Sequence, residues 1–320
     1  MEIQNFSEYY HKAQNIQAEI RKVVLGKDEI IRKILATAVA GGHILLDDIP
    51  GVGKTTLALA FSAATSMEYH RLQFTPDVLP TDVTGFNVYD KKSDSFIYKP
   101  GAALCNLFLA DEINRTSSKT QSALLEIMEE GKVTVDSVTR PLPQPFTVIA
   151  TQNPIGSVGT QMLPDSQLDR FMVCLSMGYP KLVDEVSILR DRQTGNPLSL
   201  VEQKATKEDL MVMREIVSNI HTDERVLEYV ATIADRTRSS EMFKLGLSPR
   251  GSLALIRLAR ANAFLDGREY VTPDDVAECF LDVAGHRIIL SPKAKATGQT
   301  KSELLIEVLK SVPMPSFERR

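Results

Sequence analysis

The sequence has no tryptophan, only three cysteines and no long apolar run, and each absence excludes a class of protein. Cys105, Cys174 and Cys279 lie far apart and form no C-x-x-C pair, which argues against a zinc site or a disulfide framework and favours a reducing compartment. The five histidines are scattered as well, so no metal cluster is expected. No apolar stretch approaches the ~20 residues that span a bilayer. We therefore expect a cytoplasmic protein without a membrane span.

Charge is nearly balanced, with 37 basic and 41 acidic side chains and a formal net charge of −4. This balance does not suggest a surface for nucleic acid, although a basic patch confined to a cleft is compatible with it. The first six residues lack the basic and then apolar build of a signal peptide. With 43% hydrophobic and 24% charged residues, the 320-residue chain has the composition of a globular protein and the length for two domains.

The most informative stretch is ILLDDIPGVGKTT, residues 44–56, in which a short apolar run gives way to glycines and then to a strong helix former. A strand, a glycine-containing turn and a helix form the context of a phosphate loop, whose backbone N–H groups point at a polyphosphate. In that geometry Lys54 would reach the β- and γ-phosphates, and the Thr55 hydroxyl would ligate Mg²⁺.

One position departs from the full pattern G-x-x-x-x-G-K-[ST], because Asp48 stands where a glycine is expected. A further carboxylate near phosphates repels them, by about 1 kcal/mol at 4 Å in water and by more where water is excluded. Asp48 could instead point away from the ligand. The alternative interpretation is a tight turn that only resembles a phosphate loop.

Strands alternate with helices up to about residue 185, which predicts a parallel sheet covered on both faces. Apolar runs predict its strands at 44–46, 69–74, 104–110, 146–150 and 171–177. Helical patterns then dominate, at 182–194, 207–219, 223–237, 249–265, 273–289 and 302–311. We predict an α/β core over 1–185 and a helical domain over 186–320. Inserts at 75–102 and 131–145 predict hairpins, although a plain surface loop is the commoner interpretation of such segments.

Polar side chains end two further predicted strands. Asp111 and Glu112 follow an apolar run, and at the tip of a strand beside a phosphate loop they could hold Mg²⁺ and activate a water molecule. Asn153 ends the next strand and could contact the γ-phosphate or that water. Each residue alone is common in surface turns. Three strand tips of this kind together favour a nucleotide hydrolase.

Two arginines are candidates for stabilising the transition state. Arg170 lies just before the last predicted strand, and Arg250 lies at the start of a helix in the second domain. Either alone is more commonly a surface or salt-bridging residue. Beside a phosphate site, an arginine finger contributes roughly 10³–10⁵ in rate.

Together these motifs resemble the AAA+ ATPases, and within them closely the MoxR family, over about residues 20–290. The specific stretches are QFTPDVLPTDVTG at 73–85, LADEINR at 109–115, KTQSALLE at 119–126, ATQNP at 150–154, LPDSQLDRF at 163–171 and SPR at 248–250. The resemblance implies a parallel five-stranded P-loop NTPase (AAA+) core of the α/β class with a C-terminal all-helical lid domain. It further implies a Mg²⁺-dependent ATPase that forms a ring, expected to be a hexamer, and remodels protein complexes as a chaperone.

The resemblance also assigns roles to residues. Cofactor binding falls to Val24, Gly26, Pro50, Gly51, Val52, Gly53, Lys54, Thr55 and Thr56, and the metal to Thr55 and Asp111. Glu112 is the implied lytic base, Asn153 sensor 1 and Arg250 sensor 2, while Arg170 acts on the nucleotide of the neighbouring subunit. The two inserts would face the pore of the ring. Clients with von Willebrand factor A-type domains, in metalloenzyme maturation, are expected from the family.

Two further departures from the family pattern stand in the sequence. Lys27 replaces a usual glutamine, which leaves the contact to the base open, and 156–159 (GSVG) replaces a more acidic stretch.

Two other functions stay open on the sequence alone. A nucleotide-dependent switch would bind ATP and barely hydrolyse it, but such a switch has no need of Glu112. A nucleic-acid motor would use the hairpin at 131–145, but that hairpin offers only Lys132 and Arg140, with Asp136 at its tip.

Overall fold

The structure is a computed structural model that describes residues 6–152 and 163–316. The strands are β1 (Ile44–Asp47), β2 (Tyr69–Gln73), β3 (Gly85–Asp90), β4 (Ser95–Pro100), β5 (Leu107–Asp111), β6 (Lys132–Val135), β7 (Val138–Pro141), β8 (Thr147–Gln152), β9 (Val173–Leu175), β10 (Phe243–Leu245) and β11 (Ile289–Leu290). The helices are α1 (Phe6–Arg21), α2 (Asp28–Val39), α3 (Lys54–Thr65), α4 (Pro80–Thr84), α5 (Ser118–Glu130), α6 (Asp165–Leu168), α7 (Leu182–Thr194), α8 (Lys207–Asn219), α9 (Glu224–Ser239), α10 (Pro249–Leu265), α11 (Pro273–Ala284), α12 (Pro292–Thr297) and α13 (Lys301–Ser311).

The five predicted strands form one parallel sheet in the order β2-β5-β8-β1-β9. Alternate residues of β1 enter different apolar clusters, Ile44 and Leu46 on one face and Leu45 on the other, and all three are fully buried. A strand buried on both faces has to be apolar throughout, which explains the continuous run seen in the sequence. The predicted fold class is confirmed, and the carboxyl ends of β1, β5 and β8 lie side by side.

The two inserts are the predicted antiparallel hairpins, β3–β4 and β6–β7. Asp136 and Ser137 turn the second hairpin with φ of +48° and +66°. The hairpins contact each other, because Asn87 Nδ2 donates to Asp136 Oδ2 at 2.7 Å and the Arg140 guanidinium lies 3.9 Å from the centre of the Tyr98 ring. They therefore project from the core as one paired unit.

The C-terminal part is helical, and the side chains of Ser248 and Thr272 cap the N-termini of α10 and α11. One helix differs from the prediction, since α11 ends at Ala284 instead of residue 289. The residues beyond it turn back, and β11 pairs with β10 as a short antiparallel ribbon inside the otherwise helical lid.

The lid packs firmly on the core. One apolar cluster runs from Leu46 of the sheet through α2 to Leu255 and Phe280 of the lid. Arg287, almost completely buried, donates from Nε to Asp169 Oδ1 at 2.7 Å and from Nη2 to the Phe171 carbonyl at 2.6 Å. The predicted domain boundary at 185/186 falls inside α7 and stays a prediction.

Within residues 6–152 and 163–316, no helix is long and apolar enough to cross a bilayer. In the same part of the chain no histidines, cysteines and acids cluster as a metal-binding group. The three cysteines are unpaired, and burial raises the pKa of Cys105 and of Cys174 to about 12.

Candidate active site

The phosphate loop connects β1 to α3 at the carboxyl edge of the sheet. Gly51 and Gly53 have φ of +83° and +96°, in the left-handed region that favours glycine. A Cβ built at either glycine meets no atom within 4 Å, so the loop lies open toward the cavity in front of it. Because α3 begins at Lys54, its free N–H groups point toward the same space.

Asp48 points away from that space. Its buried carboxylate accepts hydrogen bonds from the backbone N–H of Met177 and, at 3.1 Å, from that of Gly178. These two residues follow β9, so the carboxylate ties the loop to the segment between β9 and α7. The main-chain carbonyl of Asp48 accepts a hydrogen bond from Lys54 Nζ at 2.9 Å. The carboxylate at the position where a glycine is expected is therefore a hydrogen-bond acceptor for two backbone amides.

A cavity of about 370 Å³, called the phosphate cavity below, is lined by the loop and by the carboxyl ends of β2 and β5. Its lining residues are Pro50, Gly51, Gly53, Lys54, Thr55, Arg71, Gln73, Asp111 and Glu112. Burial lowers the pKa of Lys54, and the nearby carboxylates of Asp48, Asp111 and Glu112 oppose this shift. The structure thus brings together the predicted phosphate cation, both predicted metal-binding side chains and the predicted base.

The acid pair is held by Thr151 of β8, which the sequence analysis missed. Thr151 is fully buried, and its hydroxyl donates to Asp111 Oδ1 at 2.6 Å while it accepts the backbone N–H of Glu112 at 2.9 Å. Glu112 has φ of +58°, a conformation uncommon for a residue with a side chain. The sequence signal for Thr151 was a polar residue that directly follows the apolar run 147–150. Asn153 lies outside the described residues.

Two arginines missed by the sequence analysis also contact the acids. Arg71 Nη2 donates to Asp111 Oδ2 at 2.7 Å, and Arg115 Nη1 donates to Glu112 Oε2 at 2.7 Å. Both are more exposed than the carboxylates they pair with. Their sequence signal is weak, because an arginine near an acid in the chain is common on any surface.

A second cavity, of about 390 Å³, lies on the other side of the loop. Its walls include Val24, Val52 and Thr56 together with Ile188 of α7, and it shares Pro50, Gly51 and Gly53 with the phosphate cavity. The shared residues make one cleft with an apolar end and a charged end, a shape suited to a nucleotide.

Gly26 and Lys27, in the segment before α2, make different contacts at this end of the cleft. Gly26 faces α7, where a Cβ would meet Asp184 Oδ2 at 2.0 Å, and its φ is +68°. Lys27 lines the cavity, but its ammonium donates to the carbonyls of Met177 and Tyr179. Val24 lines the cavity, while Gly26 permits the close approach of α7.

Arg170 and Arg250 lie together at the opposite edge of the sheet. Both donate to the Glu129 carboxylate, Arg170 from Nε at 2.9 Å and Arg250 from Nη2. The Arg170 hydrogen bond, against burial and with help from Arg250, lowers the pKa of Glu129. Arg170 precedes β9, whereas the phosphate loop follows the neighbouring parallel strand β1. The two therefore lie at opposite edges of the sheet, separated by the length of a four-residue strand, about 13 Å. Arg250 also lies at the amino edge, because the packing of the lid holds α10 there, and its role as sensor 2 stays a prediction.

Comparison with known proteins agrees with this fold. The ATPase family associated with various cellular activities (AAA) matches residues 43–173, and the AAA lid domain matches residues 235–308. The chain is 35% identical to the Chaperone MoxR1 of Mycobacterium tuberculosis over 95% of this chain and 83% of that one. It is 45% identical to the uncharacterized YeaC protein of Bacillus subtilis over 92% of both chains.

The chain belongs to the MoxR family of AAA+ ATPases. The crystal structure of a Cytophaga hutchinsonii protein, provisionally assigned as an ATPase, superimposes with a TM-score of 0.91 at 34% identity and covers 98% of both chains. The MoxR-family chain is accordingly an ATPase with an AAA+ core and a helical lid.

The residues of the cleft fit ATP and Mg²⁺. The open glycines leave room for phosphate against backbone N–H groups, and Lys54 supplies a cation. Thr55 and Asp111 supply the hard oxygen ligands that Mg²⁺ prefers.

Proposed function

We propose that the protein hydrolyses Mg²⁺-bound ATP at this cleft, within a head-to-tail ring that is a hexamer, and acts as a chaperone that remodels protein complexes. The observation that carries the proposal is the division of the catalytic groups between two edges of the sheet. The phosphate loop and acid pair lie at one edge, and the arginine pair lies at the other.

We propose a role for each of the predicted site residues. Lys54 binds the phosphates, Thr55 and Asp111 hold the metal, and Glu112 orients and deprotonates the attacking water. Mg²⁺, when bound, neutralises charge on the phosphates. Asn153 is proposed as the sensor of the γ-phosphate. The apolar end of the cleft, with Val24 and the loop residues, receives the base.

Arg170 and Arg250 serve the nucleotide of the neighbouring subunit. Both guanidinium groups lie beside one carboxylate at the edge of the sheet, and both are partly exposed. An arginine supplied in trans stabilises transition-state charge that the subunit's own residues do not reach. The sequence analysis gave this role to Arg170 alone, and the shared partner Glu129 extends it to Arg250.

The chaperone part of the proposal rests on two supports. The relative of Mycobacterium tuberculosis is named a chaperone, and the paired hairpins β3–β4 and β6–β7 project from the core. We propose that these hairpins face the client in the pore of a cytoplasmic ring. Clients with von Willebrand factor A-type domains, in metalloenzyme maturation, are the partners proposed from the family.

The nucleic-acid alternative loses support from the hairpins. Lys132 Nζ lies 3.0 Å from Glu130 Oε2, and Arg140 lies on the Tyr98 ring, so both cations are engaged within the chain. A nucleotide-dependent switch that barely hydrolyses ATP remains the competing function.

The proposal is tested by measuring ATP turnover per subunit as a function of protein concentration. Wild type is compared with Glu112→Gln, Arg170→Ala and Arg250→Ala, with the exposed lid arginine variant Arg236→Ala as a control of equal charge change. We expect specific activity to rise with concentration, and the first three variants to lose it while the control keeps it.

Mixing separates a shared site from a local one. Glu112→Gln subunits retain the arginines and Arg170→Ala subunits retain the base, so the mixture should regain part of the activity. Turnover that is independent of concentration and unaffected by Arg170→Ala would favour a site complete within one chain.

A further inference from the structure

Arg71 occupies a position in the phosphate cavity that the roles above leave unexplained. It lies on β2 two residues before Gln73, and strand alternation directs both side chains to the face that lines the cavity. Among the described residues that line this cavity, Lys54 and Arg71 are the two cations. The guanidinium pairs with Asp111, whose carboxylate is the proposed metal ligand.

The ion pair is built so that the arginine can leave it. The Arg71 side chain is 41% exposed, whereas the Asp111 side chain is 14% exposed. An ion pair with one exposed partner is held weakly, because water solvates the released cation. Asp111 keeps its orientation without Arg71, since the Thr151 hydroxyl holds its other oxygen at 2.6 Å.

The same carboxylate oxygen cannot serve a guanidinium and a metal equally well, because two cations at one oxygen repel each other. When Asp111 turns to a metal, Arg71 loses its partner but stays inside a cavity suited to polyphosphate. A guanidinium binds phosphate oxygens in the same forked geometry as carboxylate oxygens.

We propose that Arg71 is a second polyphosphate-binding cation of the chain's own site, paired with Asp111 before nucleotide binds and transferred to the phosphates afterwards. The inference rests on the proposed function, since it needs Asp111 as metal ligand and the cavity as phosphate site. It adds a binding residue contributed by the same subunit, distinct from the arginines at the opposite edge. Arg71 would thus neutralise Asp111 in the absence of the metal and bind the phosphates once the nucleotide is present.

The test uses two equilibrium measurements with opposite expected signs. In nucleotide-free protein, Mn²⁺ binding is followed by electron paramagnetic resonance, and Arg71→Ala should bind Mn²⁺ about tenfold more tightly because its competing cation is gone. With Mg²⁺ present, binding of a non-hydrolysable ATP analogue is followed by calorimetry, and the same variant should bind it about tenfold more weakly.

Matched variants make the result specific. Arg71→Lys should recover part of the analogue affinity, because it keeps the charge and loses the fork, and Arg236→Ala should match wild type in both measurements. Melting temperatures establish that each variant is folded, and Arg71→Lys provides both readings if the alanine variant is not.

The outcomes separate this inference from the proposed function. Analogue binding by Arg71→Ala equal to or tighter than wild type overturns the inference, as does unchanged Mn²⁺ binding. If wild type binds the analogue no better than Lys54→Ala does, the proposed nucleotide site itself fails.

Discussion

Asp48 is a single carboxylate that connects the phosphate loop to the segment after β9. Its oxygens accept the backbone N–H groups of Met177 and Gly178, which lead into α7 and the apolar end of the cleft. Burying a carboxylate is unfavourable unless such donors compensate it. With aspartate in place of glycine at this position, one side chain connects the phosphate end of the cleft to its apolar end.

Replacing Asp48 by glycine should cost stability more than nucleotide binding. Two backbone N–H groups lose a charged acceptor, which corresponds to about 2 kcal/mol in the free energy of unfolding. Affinity for an ATP analogue should stay within about threefold, because the carboxylate faces away from the phosphate cavity. Denaturant unfolding and calorimetry check the two parts, with Asp48→Asn as the milder control. A large gain in affinity with unchanged stability would contradict this explanation.

Thr151 should affect turnover and leave binding almost intact. Thr151→Val keeps the shape of the side chain and removes the hydroxyl that orients Asp111 and the backbone of Glu112. A small displacement of Glu112, the proposed base, should lower turnover by about 10- to 100-fold. The measurement is kcat beside the dissociation constant of an ATP analogue, and Thr151→Ser should keep both. Equal losses in the two quantities would point to a general collapse of the site.

Residue by residue, the sequence could predict the loop and the acid pair but not the groups that hold them. Lys54, Asp111 and Glu112 follow apolar strands, and a parallel sheet collects the carboxyl ends of its strands at one edge. The roles of Thr151 and Arg71 depend on which strands are neighbours and in what register, as in the pairing of Gln73 with Asp111. That information is absent from local sequence.

Among the elements, β1, β8 and α5 are joined by one histidine. His43 Nε2 donates to the Met128 carbonyl at the end of α5, and its Nδ1 accepts the Val148 N–H of β8, both at 3.0 Å. Only the neutral imidazole offers one donor and one acceptor. Burial, reinforced by Arg214 and Arg257 and opposed by the Met128 hydrogen bond, lowers the pKa of His43 to about 4.

This histidine should make the fold acid-sensitive. Its contribution is complete above the unfolded pKa of about 6.5 and falls with pH toward about 4, since protons then bind the unfolded chain preferentially. The loss by pH 5 is about 2 kcal/mol. His43→Gln should reduce the difference in unfolding free energy between pH 7.5 and pH 5 by that amount, while the exposed His11→Gln should not. An unchanged difference would exclude His43 as its source.

For the whole molecule, Arg287 is the joint between the lid and the sheet. It is nearly buried, and besides Asp169 and Phe171 it contacts the Met172 carbonyl at 3.0 Å. Ser248, at the start of α10, donates to the same Asp169 carboxylate at 3.2 Å. These contacts determine which edge of the sheet Arg250 reaches, and no local pattern in the sequence indicates it.

Removing this joint should loosen the lid from the core. Arg287→Met removes the charged donor from Asp169 and from the carbonyls of Phe171 and Met172, at a cost of about 3–5 kcal/mol. Scanning calorimetry should resolve one transition for wild type and two for the variant, with Arg236→Met resembling wild type. A single transition at the wild-type temperature would mean that apolar packing alone unites the two parts.

The separation of the two edges gives each subunit a direction. In the proposed ring, a cleft at the carboxyl edge and arginines at the amino edge would make every contact between subunits run head to tail. In such an assembly, complete sites are counted by contacts and not by chains. A closed circle of n subunits has n complete sites. An open row of n subunits has n − 1, because one cleft lacks the arginines of a neighbour. Activity per chain would therefore report whether the circle has closed.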